Sequence, residues 1–135
     1  MEAPDPAPEP AAVPDEPTAN AIPLLHEIRH ALSRLAEAGE PSALDLQSIP
    51  MGPGDEERLY AALGEGEVTV ELNALGRSRV TETAYPGVWL VHHFNAHDQP
   101  VGRFIEVTLC PEILKSDPAD VASGLGRLEL LLSRQ

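Results

Sequence analysis

The sequence predicts an α+β fold, an antiparallel meander of four or five strands with helices packed on one face. In the second half of the chain, short runs alternate apolar and polar residues, which is the pattern of half-buried strands. Turn residues such as Pro86 and Gly87 separate these runs. The segments before and after the runs repeat apolar residues every three or four positions, which predicts amphipathic helices. Such helices need the apolar face of a sheet to cover.

Residues 1–19 are predicted to form a disordered, acidic and proline-rich tail, and residues 20–135 a single domain. The tail contains six of the 14 prolines and five acidic residues, with no lysine or arginine. It buries too little apolar surface to offset the entropy lost on ordering, and it lacks the basic start and apolar run of a secretory signal. No stretch reaches the roughly 18 apolar residues of a membrane span. The protein is therefore predicted to be soluble and cytoplasmic.

The first half of the domain is predicted to contain two helices and a short strand. Asn20 is the predicted N-cap of the first helix, which ends before Gly39. The predicted apolar face of this helix consists of Leu25, Ile28, Leu32 and Leu35. Alternation over residues 42–46 predicts the strand. Asp55 is the predicted N-cap of the second helix, which ends at Gly64.

Four more strands are predicted in succession, at 68–72, 77–84, 88–94 and 102–109. Val88 and Leu90 point to one face and Trp89 to the other, and Leu109 is predicted to face inward. Helices are expected on the Val88 face. The opposite face is predicted to be partly polar and open to water or to a partner, and it carries Thr69, Glu71, Glu82 and Thr108.

A last helix is predicted after Asp117, which is a suitable N-cap, with Pro118 at the first helical position. Its apolar stripe consists of Val121, Leu125, Leu128 and Leu132. This stripe is expected to pack on the sheet together with the other helices.

The charge of the chain limits its partners. The net charge is −13, of which −5 lies in residues 1–19 and −8 in the rest. Nucleic acid is excluded as a ligand because phosphates need a basic face, whereas a basic protein partner is compatible with this charge. The single cysteine, Cys110, excludes an internal disulfide and a cysteine-based zinc cage.

His92, His93 and His97 are candidate metal ligands, and Cys110 could join them in a metal- or cluster-handling module. Adjacent residues of a strand point to opposite faces, so His92 and His93 cannot share one site without a bulge. His93 and His97 lie across a turn and could converge. The favoured interpretation is nonetheless structural or solvated histidines, with no cofactor. No catalytic constellation is recognisable, and the chain is predicted not to be an enzyme.

The candidate partner-binding residues lie around one aromatic corner. Tyr85 and Trp89 combine a large apolar area with one polar tip, as interface anchors do. Pro86 lies between them, and Trp89 is expected to point to the open face. The alternative is that Trp89 packs under a loop or against its neighbours. The acids that could surround this corner and favour a basic segment are Glu67, Glu71, Glu82 and Glu106.

Several segments from Ile22 to the C-terminus resemble the hydrogenase expression/formation proteins of the HupH/HyaF type. The matching segments are LQSIPMGPG (46–54), GEGEV (64–68), ETAYPGVW (82–89), FIEV (104–107) and PEIL (111–114). The resemblance implies a maturation accessory protein of nickel–iron hydrogenase. It also implies a chaperone for the precursor of the iron–sulfur small subunit, acting before export or assembly, alongside other maturation proteins. Family members are often about twice this length, and no catalytic residues carry over. Separately, an exposed edge strand could pair two copies into a dimer.

Overall fold

The computed structural model describes residues 21–73 and 76–135 and confirms the predicted α+β fold. The predicted tail, the Asn20 cap and residues 74 and 75 lie outside the described residues. Within the described ranges the helices are α1 (Ala21–Ala38), α2 (Asp55–Leu63) and α3 (Pro118–Ser133). The strands are β1 (Ser42–Asp45), β2 (Thr69–Asn73), β3 (Arg77–Glu82), β4 (Val88–Phe94) and β5 (Pro100–Val107).

The five strands form one antiparallel sheet in the order β1-β5-β4-β3-β2. Strands β2 to β5 follow one another as the predicted meander. Strand β1 extends the sheet by pairing with β5, with Leu44 opposite Ile105. The two edges of the sheet are therefore β1 and β2.

Helix α1 packs on the sheet face that carries Val88 and Leu90, as predicted. The buried side chains of α1 are Ala21, Leu24, Ile28, Ala31 and Leu35. They form the main core with residues of α2, β4 and β5, among them Leu59, Ile105 and Val107. The buried face of α1 is rotated slightly from the predicted apolar face. Leu24 is buried, whereas Leu25 and Leu32 are only half-buried at the border of the core.

Helix α2 begins as predicted, but its N-cap is Gly54 and not Asp55. Gly54 adopts φ +81°, a left-handed conformation that glycine accepts without strain. Asp55 lies inside the first turn and is buried, and its carboxylate accepts a hydrogen bond from the amide of Gly52 at 2.8 Å. Asp55 therefore fixes the preceding loop against the helix.

The centre of the second face of the sheet is covered, so the prediction that this face is open is wrong there, although Glu82 lies on it as predicted. Val80, Trp89 and Val91 are buried there, with Phe104 and Leu114 packed against them. Leu114 belongs to a short 3₁₀ turn, Glu112–Leu114, that follows β5. This turn brings an apolar side chain back over the centre of the face.

Two of the four residues predicted on that face lie on the helix-covered one instead. Thr69 pairs with Thr81, which in turn pairs with Leu90, and Glu71 pairs with Arg79. Directly paired residues share a face, so Thr69 and Glu71 lie on the Leu90 side of the sheet. Their carboxylate and hydroxyl groups reach solvent at the β2 edge, where no helix covers the sheet.

Leu109 was predicted to face inward, but it is 82% exposed. Strand β5 ends at Val107, two residues earlier than predicted. The amide of Thr108 donates to the carbonyl of Gly87 at 2.9 Å, and the chain bends there. The alternation of the strand therefore does not extend to Leu109, whose side chain points to solvent.

Helix α3 starts at the predicted cap but does not pack on the sheet. The carboxylate of Asp117 accepts from the amide of Ala119 at 2.8 Å, and Pro118 occupies the first turn. No residue of α3 is buried, contrary to the prediction. The reason lies in the sheet: α1 and α2 already cover one face, and the Glu112–Leu114 turn occupies the centre of the other.

Candidate functional site

The link between β3 and β4 forms a tight turn that projects from one end of the sheet. The amide of Val88 donates to the carbonyl of Tyr85 at 2.9 Å, which closes a four-residue turn. Pro86 occupies its second position, and Gly87 its third with φ +97°. These are the residues and the positive φ of a type II turn. Tyr85 and Pro86 are exposed at its tip.

The turn is fixed by hydrogen bonds within its own link and by bonds to two other parts of the fold. Thr83 is buried, and its hydroxyl bonds the carbonyl of Tyr85 at 3.2 Å and the amide of Tyr85 at 3.1 Å. The amide of Ala84 donates to the carbonyl of Leu63 at the end of α2, at 2.9 Å. The hydrogen bond from the amide of Thr108 to the carbonyl of Gly87 ties the turn to the end of β5. The exposed Tyr85 and Pro86 therefore sit on a backbone fixed before any partner arrives.

Two grooves flank this turn, and Leu32 of α1 lines both. The first has a volume of about 320 Å³, and its lining is Leu25, Ile28, Arg29, Leu32, Ala62, Leu63, Tyr85 and Val88. The second has a volume of about 540 Å³, and its lining is Leu32, Leu35, Ala36, Glu82, Pro86, Gly87, Trp89 and Leu109. We name the surface formed by Leu25, Leu32, Tyr85, Pro86 and Leu109 the turn surface. Tyr85 is 51% exposed there.

Trp89 forms part of the floor of the second groove. It lies on the predicted face, opposite Val88 and Leu90, but it is only 8% exposed. Its indole N–H donates to the carbonyl of Thr108 at 3.1 Å, which satisfies its one polar group. The expectation of an exposed Trp89 is therefore wrong, and the alternative of a packed Trp89 is confirmed. Tyr85 is the aromatic side chain that projects.

Two of the predicted acids lie beside Trp89, and a third, Glu67, lies beside one of them. Strand register places Glu82 on one side of Trp89 and Glu106 on the other, in a single row across β3, β4 and β5. The carboxylate of Glu82 accepts from the amide of Glu67 at 3.3 Å. The structure thus brings six of the seven predicted partner-binding residues to one end of the sheet, whereas the seventh, Glu71, lies elsewhere, beside Arg77.

The pKa of the Glu106 carboxyl is raised above its ordinary value. Burial is the main cause, because it penalises the charged form, and the charge of Glu112 adds to it. The nearby His93 acts in the opposite direction. The acidic row beside Trp89 therefore contains one carboxylate whose ionisation is disfavoured in the folded protein.

Replacing Glu106 with glutamine is expected to stabilise the protein more at pH 7 than at pH 4. A carboxyl with a raised folded pKa loses stability as the pH rises from the unfolded value of 4.5 through the folded one. Glutamine cannot ionise and escapes that loss. Urea unfolding at the two pH values measures the difference. Glu40→Gln, at an exposed position, is the control, and an equal effect of Glu106→Gln at both pH values would contradict the prediction.

The candidate metal ligands do not converge. His92 faces α2, where its Nε2 lies 3.3 Å from the hydroxyl of Tyr60. His93 faces the other side, and its Nδ1 lies 2.8 Å from the hydroxyl of Ser78. His97 is exposed in the turn between β4 and β5. Within residues 21–73 and 76–135, no three His, Cys, Asp or Glu side chains are grouped closely enough to hold a metal ion.

A polar cluster beneath α2 has a structural role. The hydroxyl of Tyr60 donates to the carboxylate of Glu56, which also pairs with Arg103 at 3.0 Å. Burial, aided by the hydrogen bond to Glu56, raises the pKa of Tyr60, and burial lowers the pKa of His92. Tyr60 therefore remains a protonated donor at neutral pH and His92 remains uncharged. The cluster joins α2 to β4 and β5 without supplying an activated nucleophile.

Leu25, Leu32 and Leu109 belong to the turn surface, although the sequence pattern predicts them to be buried. Leu25 and Leu32 were assigned to the buried face of α1, and Leu109 to the inside of β5. The available signal was the width of the apolar stripe of α1: the helix carries six large aliphatic side chains, and those at the margin of the stripe lie at the border of the core. For Leu109 the following Pro111 was a sign that the strand ends early.

Comparison with known proteins supplies the family. Residues 18–134 match the model of "HupH hydrogenase expression protein, C-terminal conserved region". The chain is 36% identical over 111 residues to the hydrogenase expression/formation protein HoxQ of Azotobacter vinelandii, which covers 81% of this chain and 39% of HoxQ. It is 34% identical over 94 residues to HupH of Rhodobacter capsulatus, covering 70% of this chain and 34% of HupH.

A solved structure agrees with the fold. The hydrogenase expression protein HupH from Thiobacillus denitrificans superposes with a TM-score of 0.82 at 47% sequence identity. The match covers 89% of this chain and the whole of that one. By contrast, the chain spans about two fifths of the length of the first two curated relatives, 39% and 42%. With nearly all of its length matched by the family model, the chain belongs to the family of the HupH hydrogenase expression protein, C-terminal conserved region.

Proposed function

We propose that this chain is a non-enzymatic chaperone in the maturation of nickel–iron hydrogenase and that it binds the precursor of the iron–sulfur small subunit. The names of the relatives, hydrogenase expression/formation proteins, support the role in hydrogenase maturation. The chain corresponds to only part of those relatives, so the client and the step are proposals for this domain.

The observation that carries the proposal is the turn surface. It combines an exposed aromatic tip, an exposed leucine and two apolar grooves. Exposed apolar surface of this kind commonly marks a protein-interaction site. Hydrogen bonds to α2 and β5 fix the turn beforehand, so little conformational entropy is lost when a partner binds.

The charge of the surroundings favours a client segment with apolar and basic residues side by side. Glu82 lines the second groove, and Glu67 and Glu106 lie close to it. The whole chain carries a net charge of −13. A twin-arginine signal region, which joins arginines to an apolar run, has the matching chemistry. An unexported precursor is met in the cytoplasm, which is where the proposal places this protein.

A binding measurement tests the proposal. The full chain is immobilised, and the small-subunit precursor, the same subunit without its signal region, and the large subunit are passed over it. The precursor is expected to bind most tightly, and its affinity is expected to fall as salt rises from about 50 to about 500 mM, because opposite charges meet and the Debye length shortens roughly threefold. Binding of the large subunit alone would contradict the small-subunit assignment. Binding of none of the three would overturn the chaperone proposal.

A further inference from the structure

Helix α3 leaves a complete apolar stripe uncovered. No residue of α3 is buried, and its six large aliphatic side chains are between 54% and 61% exposed. Four of them, Val121, Leu125, Leu128 and Leu132, form the stripe, and the other two are Leu130 and Leu131. No other segment of the described chain presents so many exposed leucines together.

A helix of this composition needs a partner to be stable. It has 16 residues, and isolated helices of about this length are marginal in water even when they are rich in alanine. It also contains Gly124 and Gly126, each of which lowers helix stability by about 1 kcal/mol relative to alanine. Packing of the apolar stripe is the remaining source of stability, so something covers it.

The spacing of the stripe shows what kind of element covers it. Val121, Leu125, Leu128 and Leu132 follow one another at intervals of four, three and four residues. This is the heptad spacing by which one helix packs along another, with knobs-into-holes contacts. The element that fits the stripe is therefore a second helix.

The charge of the helix favours a second copy of the same chain. Residues 118–135 carry two acids, Asp120 and Glu129, and two arginines, Arg127 and Arg134, so they are neutral. The rest of the chain carries the entire net charge of −13. A basic client is attracted to the acidic rest of the chain and not to the neutral α3. A second copy of the chain is itself acidic, so it meets the least electrostatic repulsion along α3.

We propose that α3 pairs antiparallel with α3 of a second copy to form a dimer. With the two-fold axis midway along the stripe, Leu125 packs against Leu128 of the second copy, and Val121 against Leu132. The same register places Leu131 over Gly124 of the second copy, where the missing side chain leaves room. Each contact occurs twice, as an isologous interface requires. The opposed helix dipoles favour this orientation. The pairing does not depend on the proposed client.

The mass of the full chain in solution tests the dimer. Light scattering after size-exclusion chromatography is expected to give twice 14.5 kDa at about 100 µM, a concentration that suits a small interface. Leu125→Glu/Leu128→Glu is expected to give a monomer and to lose helical circular dichroism. Leu130→Glu is the matched control, because Leu130 has the same exposure but lies on the opposite side of α3. It is expected to remain dimeric.

The orientation has its own test. In a Cys110→Ser background, Val121→Cys and Leu132→Cys chains are mixed and oxidised. The antiparallel pair is expected to give the mixed cross-link, and a predominance of Val121→Cys homodimers would overturn that orientation. A monomeric wild type, or a Leu125→Glu/Leu128→Glu variant that still dimerises through a sheet edge, would overturn the pairing itself.

Discussion

Replacing Gly87 with alanine is expected to lower the free energy of unfolding by about 2–3 kcal/mol. Gly87 adopts φ +97°, which side-chain-bearing residues rarely accept. A Cβ atom added there would also lie 3.2 Å from Leu32 Cδ1 and 3.4 Å from Leu35 Cδ2, so these two α1 side chains would have to move by a few tenths of an ångström. Urea unfolding followed by the fluorescence of Trp89, which lies two residues further on, measures the loss.

Gly39→Ala separates the two causes. Gly39 also has a positive φ, +72°, but nothing lies within 4 Å of an added Cβ atom. The Gly39→Ala substitution is expected to lower the free energy of unfolding by about 1 kcal/mol, which is the cost of backbone strain alone. The excess at Gly87 then reports how closely α1 packs against the turn. Equal losses at the two positions would contradict the contact between α1 and the turn, and with it the common wall of the two grooves.

Local patterns in the sequence were enough to predict the meander. Each of the strands β2 to β5 has its own alternation and is followed by its own turn, so short-range information defines it. The pairing of β1 with β5 joins Leu44 to Ile105, far apart along the chain, and no local pattern indicates it. The second face of the sheet is likewise covered by a segment that comes from later in the chain. Leu114 closes it, and the sequence predicted only that residues 111–114 belong to a family motif.

Alternation predicted the faces of β4 correctly but not the burial of its residues. Trp89 was assigned to the correct face, yet its burial depends on Leu114 and on the bend at Thr108, which come from later in the chain. Likewise, the sequence suggested that Glu82 and Glu106 surround Trp89, but the row they form follows from strand register. Register depends on the geometry of turns and bulges, which alternation does not encode. The part of these residues in client binding remains a prediction.

For α3 the sequence predicts the helix but not what its apolar stripe packs against. The spacing of Val121, Leu125, Leu128 and Leu132 predicted an amphipathic helix, and the helix is present. The same spacing suits a sheet face or a second helix, and the sequence offers no means of choosing between them. The structure rules out the sheet face, because both faces of the sheet are already occupied; a second helix is the partner proposed above.

Changing Tyr85 and Leu109 together is expected to abolish most client binding by the turn surface. Tyr85→Ala/Leu109→Ser removes the two most exposed side chains on either side of the turn. Central apolar anchors typically contribute 2 kcal/mol or more, so we expect affinity for the small-subunit precursor to fall by about 30-fold. The free energy of unfolding should fall only modestly, since Leu109 is 82% exposed and Tyr85 is half-exposed. Titration calorimetry with the precursor measures the affinity.

The matched control lies at the other end of the sheet. Val101→Ser removes a side chain that is 50% exposed on β5, next to the turn that joins β4 to β5. If apolar exposure in general drives binding, the loss at Val101 should resemble the loss at Leu109. If the grooves beside Pro86 hold the client, Val101→Ser should bind as the wild type does. A normal affinity for Tyr85→Ala/Leu109→Ser would exclude the turn surface as the client site, whichever subunit the protein binds.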